Sequence, residues 1–196
     1  MRNISLFTED LGHEEVLKAV LSRFAREYGV EISVKIYSVR GGHGKVISEL
    51  KQYLRDLHTG ESTLPDLVVI GTDANCKGYR QRRQEVENIT ENYSFLMVCA
   101  LPDPHIERWL LLDGAAFKKV LGKGCNAPDQ KCERDRYKRY LLEAVRNAGV
   151  TPLLGGLEHA QDIVNAMDFP KATQSDDSLK KLLNELHMHF KGRANQ

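Results

Sequence analysis

Asp73 and Asn75 close the run Pro65-Asp66-Leu67-Val68-Val69-Ile70-Gly71-Thr72-Asp73-Ala74-Asn75. Two residues apart in an extended segment, their side chains leave the same face, so both oxygens can reach one cation. Glu9 stands in the same relation to an upstream run, Asn3–Thr8, and Glu107 follows a third, Ser94–Leu101. If those runs are neighbouring parallel strands, their carboxyl ends share one rim, where ligands of such sheets collect. Anions gathered there raise one another's pKa unless a cation neutralises them. Hard oxygen donors with an amide carbonyl suit Mg²⁺ or Mn²⁺ rather than zinc, and such an ion polarises a phosphodiester and activates water. Taken singly, each acid reads better as a turn or helix-capping residue. Taken together they point to a metal site of Glu9, Asp73, Asn75 and Glu107, with Asp113 in support.

The elements that must position these residues follow from hydrophobic period. Leu67–Ile70 has no polar face, which suits a strand covered on both sides. Asn3–Thr8 and Glu31–Val39 alternate, the latter with Ile32, Val34 and Ile36 on one face and Ser33, Lys35 and Tyr37 on the other. Ser94–Leu101 is a fourth strand, ended by Pro102 and Pro104. Helical spacing runs through Val16, Leu17, Val20, Leu21 and Phe24, and again through Val46, Leu50, Tyr53 and Leu57. Further helices are expected at Gly78–Asn92, Ile106–Leu112, Ala115–Leu121, Arg134–Asn147, Leu157–Met167 and Ser178–Phe190. Strands alternating with helices argue an α/β fold with a mostly parallel, doubly wound sheet flanked by helices. A Rossmann-like domain over 1–125, a helical extension of the same domain over 126–192 and a disordered tail at 193–196 are expected.

Composition sets outer limits. A chain of 196 residues with 41% hydrophobic and 28% charged residues has the make-up of one ordinary globular core. The formal net charge of +1 gives no overall attraction to polyanions, so any nucleic-acid contact must come from local patches. No apolar run approaches the ~20 residues that cross a bilayer, and no secretory signal opens the chain. A cytoplasmic protein is expected, with Cys76, Cys99, Cys125 and Cys132 as reduced thiols.

Thr8-Glu9, Asp73-Ala74-Asn75 and the stretch Leu101-Pro102-Asp103-Pro104-His105-Ile106-Glu107-Arg108-Trp109-Leu110-Leu111-Leu112-Asp113 together resemble a compact TOPRIM domain. The likeness covers about the first two thirds of the chain, by order of elements. It is closest to small standalone, OLD-nuclease-like proteins of prokaryotic antiviral defence operons. The resemblance implies a magnesium-dependent nuclease acting on DNA or RNA, with an ATPase partner and with self-association as a further expectation. Glu9 would be the family's single glutamate and Asp73 the first of its paired aspartates. Asn75 departs from the usual second aspartate, and His13 with Glu14 stands where nuclease relatives carry another acid. Those departures motivate the alternative of a non-catalytic subunit that binds a partner ATPase or a phosphorylated ligand.

Other signals are weaker. Lys77, Arg80, Arg82 and Arg83 follow the Asp73 loop and would give a helix a basic face for a phosphate backbone; a solvated face is an equal reading. Gly41-Gly42-His43-Gly44-Lys45 reads first as a turn and second as a phosphate cradle at a helix N-terminus. The pairs Cys125/Cys132 and His187/His189 lack a standard zinc spacing. His105 reads as a packed residue or an acid–base group, and Trp109 as a core anchor.

Overall fold

The computed structural model describes residues 1–91, 93 and 96–192. The first part of the expected fourth strand, Ser94 and Phe95, and the expected tail at 193–196 lie outside the described residues. The fold class is as the sequence implies: an α/β domain with an all-parallel four-stranded sheet flanked by helices. The strands are β1 (Arg2–Thr8), β2 (Ile32–Ser38), β3 (Leu67–Gly71) and β4 (Met97–Ala100). They lie in the order β2-β1-β3-β4, each neighbour parallel. Helices α1 (Leu11–Glu27), α2 (His43–Thr59) and α3 (Tyr79–Thr90) make the crossovers. Then come α4 (Glu107–Leu110), α5 (Gly114–Leu121), α6 (Arg136–Asn147), α7 (Ala160–Ala166), α8 (Phe169–Ala172) and α9 (Asp177–Gly192).

The unbroken apolar run of β3 has its reason in the two faces it must cover. Leu67 and Val69 pack into a cluster with α1, α7 and α9, while Val68 and Ile70 join α2 and α3 on the other side. Side chains of a strand alternate between faces, so both faces need hydrocarbon. Strand β2 lies at the sheet edge, half-buried and alternating. Gly71 ends β3 where α1 crosses closest: a methyl there would lie 2.4 Å from Leu17 Cδ1 and 3.7 Å from His13 Cδ2. That close approach sets the first turn of α1 against the residues that follow β3.

Two features differ from the sequence reading. Cys76 and Cys132 form a disulfide, whereas Cys99 and Cys125 are free. All four were expected as thiols; a separation of 56 residues gives no hint that the fold brings that one pair within 5.4 Å at Cα. Asp113, expected to support a metal, is the N-cap of α5. Its Oδ1 accepts from the Ala115 and Ala116 amides, and its Oδ2 from the Asp168 amide, 2.9 Å away. An Asp113→Ala variant is expected to lose about 1–2 kcal/mol, the range for a lost N-cap, measured by urea unfolding, with the site below undisturbed. No helix among the described residues is long and apolar enough to cross a membrane.

Candidate functional site

The loop after β3 is zipped to the segment after β4. Thr72, Ala74 and Asn75 donate their amides to the carbonyls of Ala100, Pro102 and Pro104 at 2.8–3.1 Å. Asn75 sits at φ 51°, a left-handed conformation that asparagine tolerates better than most residues. This pairing delivers His105 to Asp73. His105 Nδ1 lies 2.8 Å from Asp73 Oδ2, and the Ile106 amide donates to Oδ1 at 2.9 Å.

A second imidazole reaches Asp73 from α1. His13 is fully buried, and its Nε2 lies 3.1 Å from Asp73 Oδ1, an ion-pair contact off hydrogen-bond alignment. Its Nδ1 lies 2.8 Å from Asp10 Oδ1, and the same oxygen caps α1 by accepting the His13 amide. The four side chains form one line, Asp10–His13–Asp73–His105. Burial opposes charge on His13, yet the attraction of Asp73 and Asp10 outweighs it and lifts the imidazole to about 10. Burial likewise opposes charge on Asp73, and the flanking imidazoles hold its carboxyl below the usual range. The hydrogen bond that His105 makes to Asp73 raises the imidazole as well, against its partial burial.

The positive charge beside Asp73 is thus supplied by histidine. A linkage follows. The stability carried by charged His13 is complete below pH 6.5 and is lost as pH rises toward about 10. Urea midpoints across that window are expected to fall in the native protein and to stay flatter in His13→Gln.

Glu107, at the start of α4, is buried beside this line. Burial first, and the Asp73 charge second, raise its carboxyl above the ordinary value. Lys138 of α6 approaches it at 3.9 Å. Glu9 lies on the other flank: its Oε2 accepts from the Thr72 hydroxyl and, at 3.1 Å, from the Asp73 amide. Its Oε1 faces the N-terminus of α2, 3.7 Å from where a Cβ on Gly42 would sit. His43 touches the same Thr72 hydroxyl at 3.2 Å, and burial with the nearby Arg82 charge pushes it down to about 4.

The fold therefore gathers Glu9, Asp73 and Glu107 on one rim, and Asn75 beside them through a 3.4 Å contact from Nδ2 to the Asp73 carbonyl. Asp113 has no partner from that rim among the described residues. The donor set around Asp73 does not fit a resident magnesium ion as arranged, because N–H groups already hold both of its oxygens. Among the described residues no group of three or more His, Cys, Asp and Glu is spaced to hold a metal.

The basic face of α3 is largely neutralised from within. Lys77 and Arg82 both pair with Glu85, and Arg83 pairs with Glu87 and Glu185. Arg82 is buried, which leaves Arg80 as the exposed cation of the expected four without an ion pair among the described residues. His13, noted in the sequence only as a departure where relatives carry another acid, is a site residue to which sequence reasoning gave no role. Its signal was present: a histidine in the first turn after an Asp N-cap, four residues beyond Glu9. No family model matches this chain, no curated protein matches it, and no solved structure matches it.

Proposed function

We propose that this protein hydrolyses phosphodiester bonds in DNA or RNA at the rim formed by Glu9, Asp73, His105 and Glu107. The observation that carries this reading is an aspartate held between two imidazoles, next to a buried carboxyl of raised pKa. His105 offers Asp73 its Nδ1, and its Nε2 has no hydrogen-bond partner among the described residues. In its neutral form His105 takes the proton of an attacking water at that nitrogen, which is shielded from solvent in the free protein, while Asp73 holds the ring's tautomer and orientation. Glu107, whose carboxyl burial raises above the ordinary value, gives a proton to the departing oxygen. Asp73, held below the ordinary carboxylate range, and Glu107, raised above it, are pushed apart, which is the mark of a site that separates its acid and base roles. Lys138 beside Glu107 steadies the phosphate, and His13 acts through Asp73 as a positioning residue.

A second reading is favoured by Glu9 Oε1, which has no hydrogen-bond partner among the described residues. With the Asn75 carbonyl and the substrate's own phosphate, it gives Mg²⁺ or Mn²⁺ a set of hard oxygen donors. The TOPRIM family, a role in antiviral defence, an ATPase partner, a homo-oligomer and a cytoplasmic setting are proposals on the same footing. The disulfide weighs against the last of these, since such bonds persist mainly in oxidising compartments.

The test is cleavage of single- and double-stranded DNA and RNA in EDTA, in Mg²⁺ and in Mn²⁺. Hydrolysis that persists in EDTA and disappears in His105→Gln and Glu107→Gln is expected. Strict dependence on a divalent ion, lost in Glu9→Gln, would move the assignment to the second reading. An intact, folded protein that cuts none of these substrates would leave the non-catalytic subunit as the better account.

A further inference from the structure

The rim continues into a cleft of ≈ 400 Å³ between the first turn of α1, helix α6 and the loop around residues 154–157. Its walls are hydrocarbon, from Leu11, Leu142, Leu154 and Leu157. Two of these are substantially uncovered, Leu11 at 42% and Leu154 at 49% exposure. The polar residues of the cleft are not scattered. Glu107 lies deep, where the cleft meets the rim, and Asp10 contributes from the N-cap of α1. Lys138 and Arg139 are 56% and 62% exposed and stand at the mouth.

We propose that this cleft is a base-binding subsite, holding an amino-bearing nucleobase of the nucleotide next to the scissile phosphate. The proposal deepens the hydrolase reading and rests on it for the identity of the polymer. Charge complementarity selects the occupant. A ligand here needs an apolar body for the leucines and an anion for Lys138, whose nearest acid is Glu107 at 3.9 Å. A nucleotide and an alkyl phosphate both meet those two conditions. Asp10 separates them, for it spends Oδ1 on His13 and has Oδ2 left to accept a hydrogen bond. A carboxylate in the wall penalises an alkyl chain by its desolvation, and it accepts from the exocyclic amine of cytosine or adenine. Thymine and uracil lack that donor. Volume agrees, since clefts of this size suit small organic groups.

Binding of end-labelled, phosphorothioate-linked oligonucleotides, read by fluorescence anisotropy at one salt concentration, tests the subsite without turnover. Oligo-dC and oligo-dA are expected to bind about tenfold tighter than oligo-dT or an abasic oligomer, the discrimination of one good base-edge contact. Leu154→Asn, a neutral change at a half-exposed position that tolerates polarity, removes apolar wall without adding charge and is expected to weaken that preference severalfold while the abasic oligomer, held by its phosphates, changes little. Equal binding of all four oligomers, or a preference undiminished in Leu154→Asn, would overturn the subsite. So would displacement of the label by decyl phosphate and not by cytidine monophosphate, which gives the cleft to an alkyl chain. Base-selective binding without any cleavage in the earlier assay removes the hydrolase reading alone; cleavage without base preference removes this one alone.

Discussion

Replacing Asp73 with alanine is expected to abolish hydrolysis and to lower stability by about 3–5 kcal/mol, the range seen when one partner of a buried ion pair is removed. Three groups lose their acceptor at once. His13 keeps only Asp10 for its buried positive charge, His105 loses the oxygen that fixes its Nδ1, and the Ile106 amide is left without a partner. The size of the effect comes from what is stranded and not from the bonds themselves, since an unmet buried donor costs more than a made bond contributes. Urea unfolding followed by circular dichroism measures the first quantity and the nuclease assay the second. Asp73→Asn separates them. It keeps an acceptor of the same shape without the charge, so it should retain more stability than the alanine variant while remaining inactive. A stability loss below about 1 kcal/mol for Asp73→Ala, the scale of an ordinary surface change, would show that the imidazoles do not depend on this carboxylate.

Breaking the Cys76–Cys132 bond is expected to cost about 4 kcal/mol, from the chain entropy returned to an unfolded state whose loop spans 56 residues. Unfolding with and without reductant, and in Cys132→Ser, measures this. The unreduced, unfolded chain should present two titratable thiols, Cys99 and Cys125; a count of four would remove the bond. The consequence reaches the site through the chain on either side. Cys76 follows Asn75 directly, and Cys132 precedes α6 in a segment that Tyr137 secures. The Tyr137 hydroxyl accepts from the Lys131 amide at 2.8 Å and lies 2.9 Å from the carbonyls of Asp129 and Lys131. The Tyr137 ring lies 5.9 Å from that of His105. Releasing the bond is therefore expected to loosen Tyr137 and Lys138 over His105 and Glu107, and to weaken hydrolysis before the domain unfolds.

Local pattern carried most of the architecture. The unbroken Leu67–Ile70 run and the alternation in Glu31–Val39 each appear as the expected strand, within a residue at the ends, and the helical spacing of Val16 to Phe24 falls inside α1. Hydrophobic period reports which faces a segment must cover, and a parallel sheet follows once strands and helices alternate. The convergence of Glu9, Asp73 and Glu107 was likewise readable, because acids just beyond parallel strands necessarily share a rim.

What flanks Asp73 was not readable. Only the crossing of α1 against Gly71, with the pairing of the β3 and β4 loops, puts His13 and His105 on either side of it. The same holds for the disulfide, for the Asp168 amide that Asp113 accepts and for the pairing of Arg83 with Glu185. Each depends on a distance between residues remote in sequence. Period determines which face a side chain takes; the partner it meets there is set by packing.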